Sequence, residues 1–176
     1  MIDFTRNHFE LFGLPERFRF DATLLDRAYH ALQSEVHPDR FATADDAKRR
    51  VALQSSARVN EAYRALKDPV IRAQYILSLH GVDALAETDT SLPLDFLEHQ
   101  LERREAASEA YEARDVAAVE ALLAAVRAEY AEIEAHLEAL LDTEAAWDAA
   151  RMRVRELKFL GKLAADIDAM LAELDS

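Results

Sequence analysis

The chain has 176 residues, carries 21 Lys and Arg against 34 Asp and Glu for a net charge of −13, and contains three Gly, four Pro and no Cys. Scarce Gly and Pro beside abundant Ala, Leu, Glu and Arg point to an all-α protein with long helices. The missing cysteines exclude disulfides, thiolate metal sites and a directly ligated iron–sulfur cluster, and no apolar run is long enough to span a bilayer.

In chain order, His8-Phe9-Glu10-Leu11-Phe12-Gly13-Leu14-Pro15 is a short apolar element closed by Gly and Pro. Phe9 and Phe12 share one helical face. Phe20-Asp21 reads as a helix start: Asp21 caps free N–H groups, and Phe20 and Leu25 occupy the two positions of a hydrophobic staple. Leu25, Ala28, Leu32 and Val36 follow at helical spacing, with Tyr29 beside them and Arg27 and His30 on the solvent side. Pro38 disfavours a helical backbone at His37, so this helix should stop there and leave His37-Pro38-Asp39 in a short loop. A histidine and a carboxylate on a stiff turn are polar groups presented outward, and recognition residues collect on such loops.

Thr43 is the expected cap of the next helix, with Asp45 and Asp46 in its first turn. Ala52, Ser55, Val59, Ala62 and Leu66 form its inner stripe, Tyr63 flanks it, and Lys48, Arg49 and Arg50 face solvent. The two helices make an antiparallel hairpin. Asp68-Pro69 breaks the chain, a short helix carries Ile71, Tyr75, Ile76 and Leu79, and Gly81 ends it. Residues 82–92 read as a linker. Three helices follow at about 93–112, 115–141 and 144–174, which should pack as an antiparallel bundle. In the second, Val116, Val119, Leu123, Val126, Tyr130, Ile133, Leu137 and Leu140 alternate steps of three and four. The last places Trp147, Val154, Leu157, Ala164, Ile167, Leu171 and Leu174 on one side. Charge divides unevenly: residues 1–80 hold 12 basic and 11 acidic groups, residues 81–176 hold 9 and 23. Such asymmetry suggests two segments facing different partners, and it argues against nucleic acid at the second.

A helical hairpin with His37-Pro38-Asp39 in its loop, followed by Asn60-Glu61-Ala62-Tyr63-Arg64-Ala65-Leu66-Lys67-Asp68-Pro69, resembles a J-domain. Leu11-Phe12-Gly13-Leu14-Pro15, His37-Pro38-Asp39-Arg40-Phe41, Ser78-Leu79-His80-Gly81 and Phe96-Leu97-Glu98-His99-Gln100-Leu101-Glu102 narrow the resemblance to the HscB family, the J-domain co-chaperones of bacterial iron–sulfur cluster assembly. The resemblance implies a J-domain over 1–81, a linker over 82–92, and a bundle over 93–176 that binds the cluster scaffold protein, IscU. It implies that the J-domain stimulates ATP hydrolysis by a specialised heat-shock-70 class chaperone, HscA. It further implies no chemistry, no cofactor and no metal in this chain, no nucleic-acid or membrane partner, and a cytoplasmic location; the N-terminal stretch Met1–Arg6 shows neither an apolar signal core nor a transit pattern.

The residues expected to meet the chaperone are His37, Pro38, Asp39, Arg40 and Arg27. A loop that merely turned the chain would need neither imidazole nor carboxylate, since Gly or Asn serve a turn better. Lys48, Arg49 and Arg50 read as a solvated face. The expected scaffold-binding residues are Leu97, Glu98, Leu101, Glu102, Glu105 and Phe159. Leu97, Leu101 and Glu105 are spaced by four and line one strip, which Glu98 and Glu102 adjoin. Phe159 lies about 130° from the centre of its helix's apolar stripe, with Met152 and Leu163 on its side, which makes it a candidate anchor. The histidines form no convincing ligand set, and no Gly-rich phosphate cradle supports an enzyme. A general J-protein for unfolded clients would carry a Gly-rich linker, cysteine repeats or a β-rich region in place of an acidic bundle.

Overall fold

A computed structural model describes residues 2–85 and 92–174, and among them all regular structure is helical. The chain divides into two compact units, one up to Ile76 and one from Leu77. In the first, α1 (His8–Phe12) opens with a capping box: Asn7 accepts from the Glu10 N–H while Glu10 accepts from the Asn7 N–H. Gly13, at φ 65°, closes it in the left-handed conformation that glycine adopts without a Cβ clash. Phe9 and Phe12 are buried, and Phe9 meets Phe20 edge-on at 6.3 Å.

Helix α2 (Ala22–Val36) is capped by Asp21, and Leu25 and Val36 are buried. Helix α3 (Asp46–Lys67) buries all five residues of the expected stripe, Ala52, Ser55, Val59, Ala62 and Leu66. Its cap is Asp45, which accepts from the Lys48 N–H, and not Thr43. The helix therefore starts two residues later, where a carboxylate meets both the free N–H groups and the positive end of the dipole. Asp68 ends α3 and accepts from the Ile71 N–H at 3.0 Å in the first turn of α4 (Pro69–Leu79). The buried arc of α4 is Ala73, Ile76 and Leu77, whereas Ile71 and Leu79 are exposed. The arc is rotated because Arg72 lies over the Phe18 and Phe20 rings and Tyr75 stacks on His8 at 4.0 Å.

The second unit holds α5 (Leu94–Glu112), α6 (Val116–Asp142) and α7 (Trp147–Leu174), an antiparallel three-helix bundle. Helices α6 and α7 pack along their length through Val119, Leu123, Val126, Ile133 and Leu137 against Val154, Leu157, Leu160 and Ile167. Leu163, expected off the core, is buried. Helix α5 covers that flank of α7, so the apolar arc of α7 is wider than one stripe. Each bundle turn holds a non-glycine residue in the left-handed region, Arg114 at φ 55° and Ala145 at φ 51°. The expected linker is partly packed: Ala84 is buried and its carbonyl accepts from Arg155 Nε at 2.9 Å, while residues 86–91 lie outside the described residues.

Candidate functional site

In the first unit His37, Asp39 and Arg40 sit at a 3-10 turn, Pro38–Phe41, whereas Arg27 lies nearly three helical turns back on α2. His37 has ψ 127°, the extended backbone that the following proline demands, and so α2 ends at Val36. Pro38 then occupies the first position of the turn, where no N–H is needed. The turn closes through Arg40 N to His37 O at 3.1 Å and Ala42 N to Asp39 O at 3.3 Å. The side chains of His37 and Asp39 are 54% and 89% exposed. The imidazole Nδ1 accepts a long hydrogen bond from the Asp39 N–H at 3.4 Å and lies 3.6 Å from Asp39 Oδ2. The turn thus presents an imidazole and a carboxylate side by side to solvent.

Arg40 extends back to α2, where its guanidinium donates to the Ser34 carbonyl at 2.9 Å. A cation there satisfies one of the helix's last carbonyls and complements the negative end of its dipole. Arg27 is exposed on α2, as are Lys48, Arg49 and Arg50 on α3. Lys48 pairs with Asp45 at 3.2 Å and Arg49 with Asp46, so two of those three charges are locally balanced.

In the second unit, Leu97, Glu98, Leu101, Glu102 and Glu105 are all exposed on α5. Leu97 and Leu101 are 37% and 57% exposed, so neither is a fully buried core leucine, although Leu97 is covered over most of its surface. Leu101 and Glu105 line a shallow depression with Arg104, Ser108 and Glu109. Sequence reasoning missed Leu94, which is 71% exposed one turn before Leu97; the three-residue step was the available signal. Phe159 differs from expectation. It is half-buried, with its ring edge-on to Phe96 of α5 at 5.8 Å and 77°. A ring over α7's second flank finds α5 there, so Phe159 serves packing as well as any surface role.

Behind the exposed leucines, α5 turns a polar face inward. Gln100 is buried, donates to Glu129 Oε1 at 3.2 Å and accepts from Arg103 at 3.2 Å, while Arg103 also pairs with Glu129. This cluster was not legible in the sequence, because its charged members sit among many surface charges. Among the described residues, no group of three His, Asp or Glu side chains could hold a metal ion, and no helix is long and apolar enough to cross a membrane.

Comparison with known proteins identifies the family. The family model for the HSCB C-terminal oligomerisation domain matches residues 92–168. The co-chaperone protein HscB homolog of Burkholderia cenocepacia is 46% identical over 176 residues, covering 100% of both chains. The crystal structure of human co-chaperone protein HscB, 27% identical, superposes with a TM-score of 0.88 over 95% of this chain and 83% of that one. The chaperone HscB from Vibrio cholerae, 38% identical, superposes with a TM-score of 0.87 over 96% of this chain and 99% of that one. With full-length identity of this order on a shared all-helical fold, the chain belongs to the HscB co-chaperone family.

Proposed function

We propose that this chain is a co-chaperone of iron–sulfur protein maturation that brings an IscU-like scaffold to an HscA-like heat-shock-70 class chaperone and stimulates its ATPase. In this reading residues 1–81 act as the J-domain, 82–92 as the linker and 93–176 as the scaffold-binding bundle, in the cytoplasm. His37, Pro38, Asp39, Arg40 and Arg27 meet the chaperone. Leu97, Glu98, Leu101, Glu102, Glu105 and Phe159 meet the scaffold. The chain itself does no chemistry and needs no cofactor.

The observation that supports this best is the turn at the end of α2. It holds an imidazole and a carboxylate in solvent, on a backbone stiffened by Pro38. Neither side chain contributes to the core, so folding alone does not account for them. A partner whose hydrolysis-competent state met this pair better than its resting state would shift by that difference in contact energy, and a few kcal/mol suffice. Arg27 and Arg40 add positive charge that speeds encounter with an acidic surface. On the bundle side, exposed leucines rimmed by glutamates support an apolar contact with a polar border.

The test is single-cycle ATP turnover by the chaperone with this protein and the scaffold, each omitted in turn. The expected result is acceleration by the wild type that His37→Gln abolishes while helical circular dichroism is unchanged. Full stimulation by His37→Gln would refute the role of the turn.

A further inference from the structure

The seam between α2 and α3 carries a second set of contacts beside its apolar stripe. Tyr29 OH donates to Asn60 Oδ1 at 3.0 Å, and Gln33 Nε2 donates to the same oxygen. Ser56 Oγ donates to Gln33 Oε1 at 3.4 Å. Below them Tyr29 and Tyr63 stack at 4.0 Å, and Tyr63 OH and Lys67 Nζ donate to Asp26 Oδ1 at 2.9 and 2.7 Å. Tyr29, Gln33, Ser56 and Asn60 are each half-buried. Gln33 stands one helical turn before His37.

These contacts constrain what the apolar stripe leaves loose. Burial of aliphatic side chains is non-directional, and the α3 stripe includes Ala52, Ser55 and Ala62, small residues over which α2 can slide or roll at little cost. A carboxamide oxygen that accepts two donors is satisfied in one register only, and a half-satisfied network in a partly dry seam is unfavourable. A polar residue in a helical seam fixes register in this way.

We infer that Gln33 and Asn60 are positioning residues, which set the register of α2 on α3 and thereby the placement of His37 and Asp39, without contacting the partner themselves. This rests on the proposed ATPase-stimulating role of the turn. The network is separate from the turn: its members lie on the seam, and among the described residues the His37 and Asp39 side chains are bonded within the turn.

The experiment compares Asn60→Leu, which removes the shared acceptor, with Asn60→Asp, which keeps an oxygen there, in the full-length protein. Asn60→Leu should keep helical circular dichroism, yet lower stimulation at saturating co-chaperone about tenfold, as expected for a group displaced from its working geometry. Its amide NMR signals for residues 36–42 should shift. Asn60→Asp should stimulate within about twofold of wild type, since one acceptor oxygen is preserved. If Asn60→Leu does not fold, Gln33→Met, which removes a donor and an acceptor from the same network, carries the test with the same expected loss. A role in stability alone would lower the melting temperature and leave saturated stimulation intact, and that result overturns the inference. The His37→Gln control separates the two claims: inactive His37→Gln beside fully active Asn60→Leu sinks only the inference, whereas active His37→Gln sinks the proposed function and the inference with it.

Discussion

His8 is the residue at which burial and titration collide. It is 5% exposed, its ring stacks on Tyr75, and Tyr75 OH accepts from its backbone N–H at 2.9 Å. Its Nδ1 has no hydrogen-bond partner among the described residues. Burial first, and then the nearby Arg58 charge, hold the imidazole below its ordinary value, with Glu61 opposing. The unfolded chain therefore takes up a proton more readily than the folded one. Full stability is kept above the unfolded value of about 6.5 and is lost as pH falls through it, until the lowered folded value is passed. Asp26 shifts in the same direction and acts in a more acidic window. Hydrogen bonds from Lys67 and then Tyr63 lower its pKa, so its contribution is present above the unfolded value of about 3.9 and is lost only in stronger acid. Melting between about pH 7 and about pH 5 should thus fall in the wild type and flatten in His8→Phe, which keeps an aromatic ring against Tyr75 without a titrating nitrogen. An unchanged slope in the variant would assign the acid sensitivity elsewhere. In the sequence His8 looked like any isolated histidine; its burial follows from Tyr75, 67 residues away, which no local pattern reveals.

Helix α5 is held differently from its neighbours. Helices α6 and α7 bury long apolar rows, whereas α5 fully buries only Gln100 and Ala107. Beside Ala107 and the Phe96–Phe159 ring contact, it is held by polar groups: the part-buried Gln100–Arg103–Glu129 cluster and, at the surface, Arg104 with Asp166 at 3.3 Å and Tyr111 OH donating to Glu173 at 2.6 Å. Arg103 and Glu129 are 16% and 23% exposed, so removing one partner leaves the other partly desolvated. Arg103→Ala should cost about 1–3 kcal/mol and raise hydrogen exchange along 94–112 more than along α6 and α7. Uniform loosening of all three helices would count against a polar attachment. The turns supply another test. Arg114 and Ala145 sit at positive φ, a conformation that costs an L-residue about 1 kcal/mol and glycine nothing, so Arg114→Gly should raise unfolding free energy by about that much. Helix existence, the α3 stripe and the end of α2 at His37 were legible because periodicity and Pro38 are local signals. The cap at Asp45, the rotated arc of α4 and the burial of Leu160 and Leu163 were not, because each depends on which neighbour covers which flank.

At the scale of the whole molecule, the two compact units carry their candidate contacts on separate sequence segments of unequal charge, so the two proposed roles can be tested by separate substitutions. The exposed leucines of α5 decide the cleanest way to separate them. Neither Leu97 nor Leu101 is fully buried, so Leu97→Ala with Leu101→Ala should leave stability within about 1 kcal/mol per substitution. If they anchor the scaffold, each carries about 1–2 kcal/mol of binding, and the double variant should weaken scaffold affinity by about thirtyfold to a thousandfold. Chaperone stimulation without scaffold should be unaltered, because His37 and Asp39 lie in the other unit. Phe159 is the wrong residue for this purpose. Its edge contact with Phe96 joins α7 to α5, so Phe159→Ala should destabilise the bundle as well as any surface it forms, and a loss of binding there would be ambiguous. Calorimetry on the double leucine variant, with melting measured on the same sample, tests the site directly. Unchanged scaffold affinity at unchanged stability would move the cargo surface off α5.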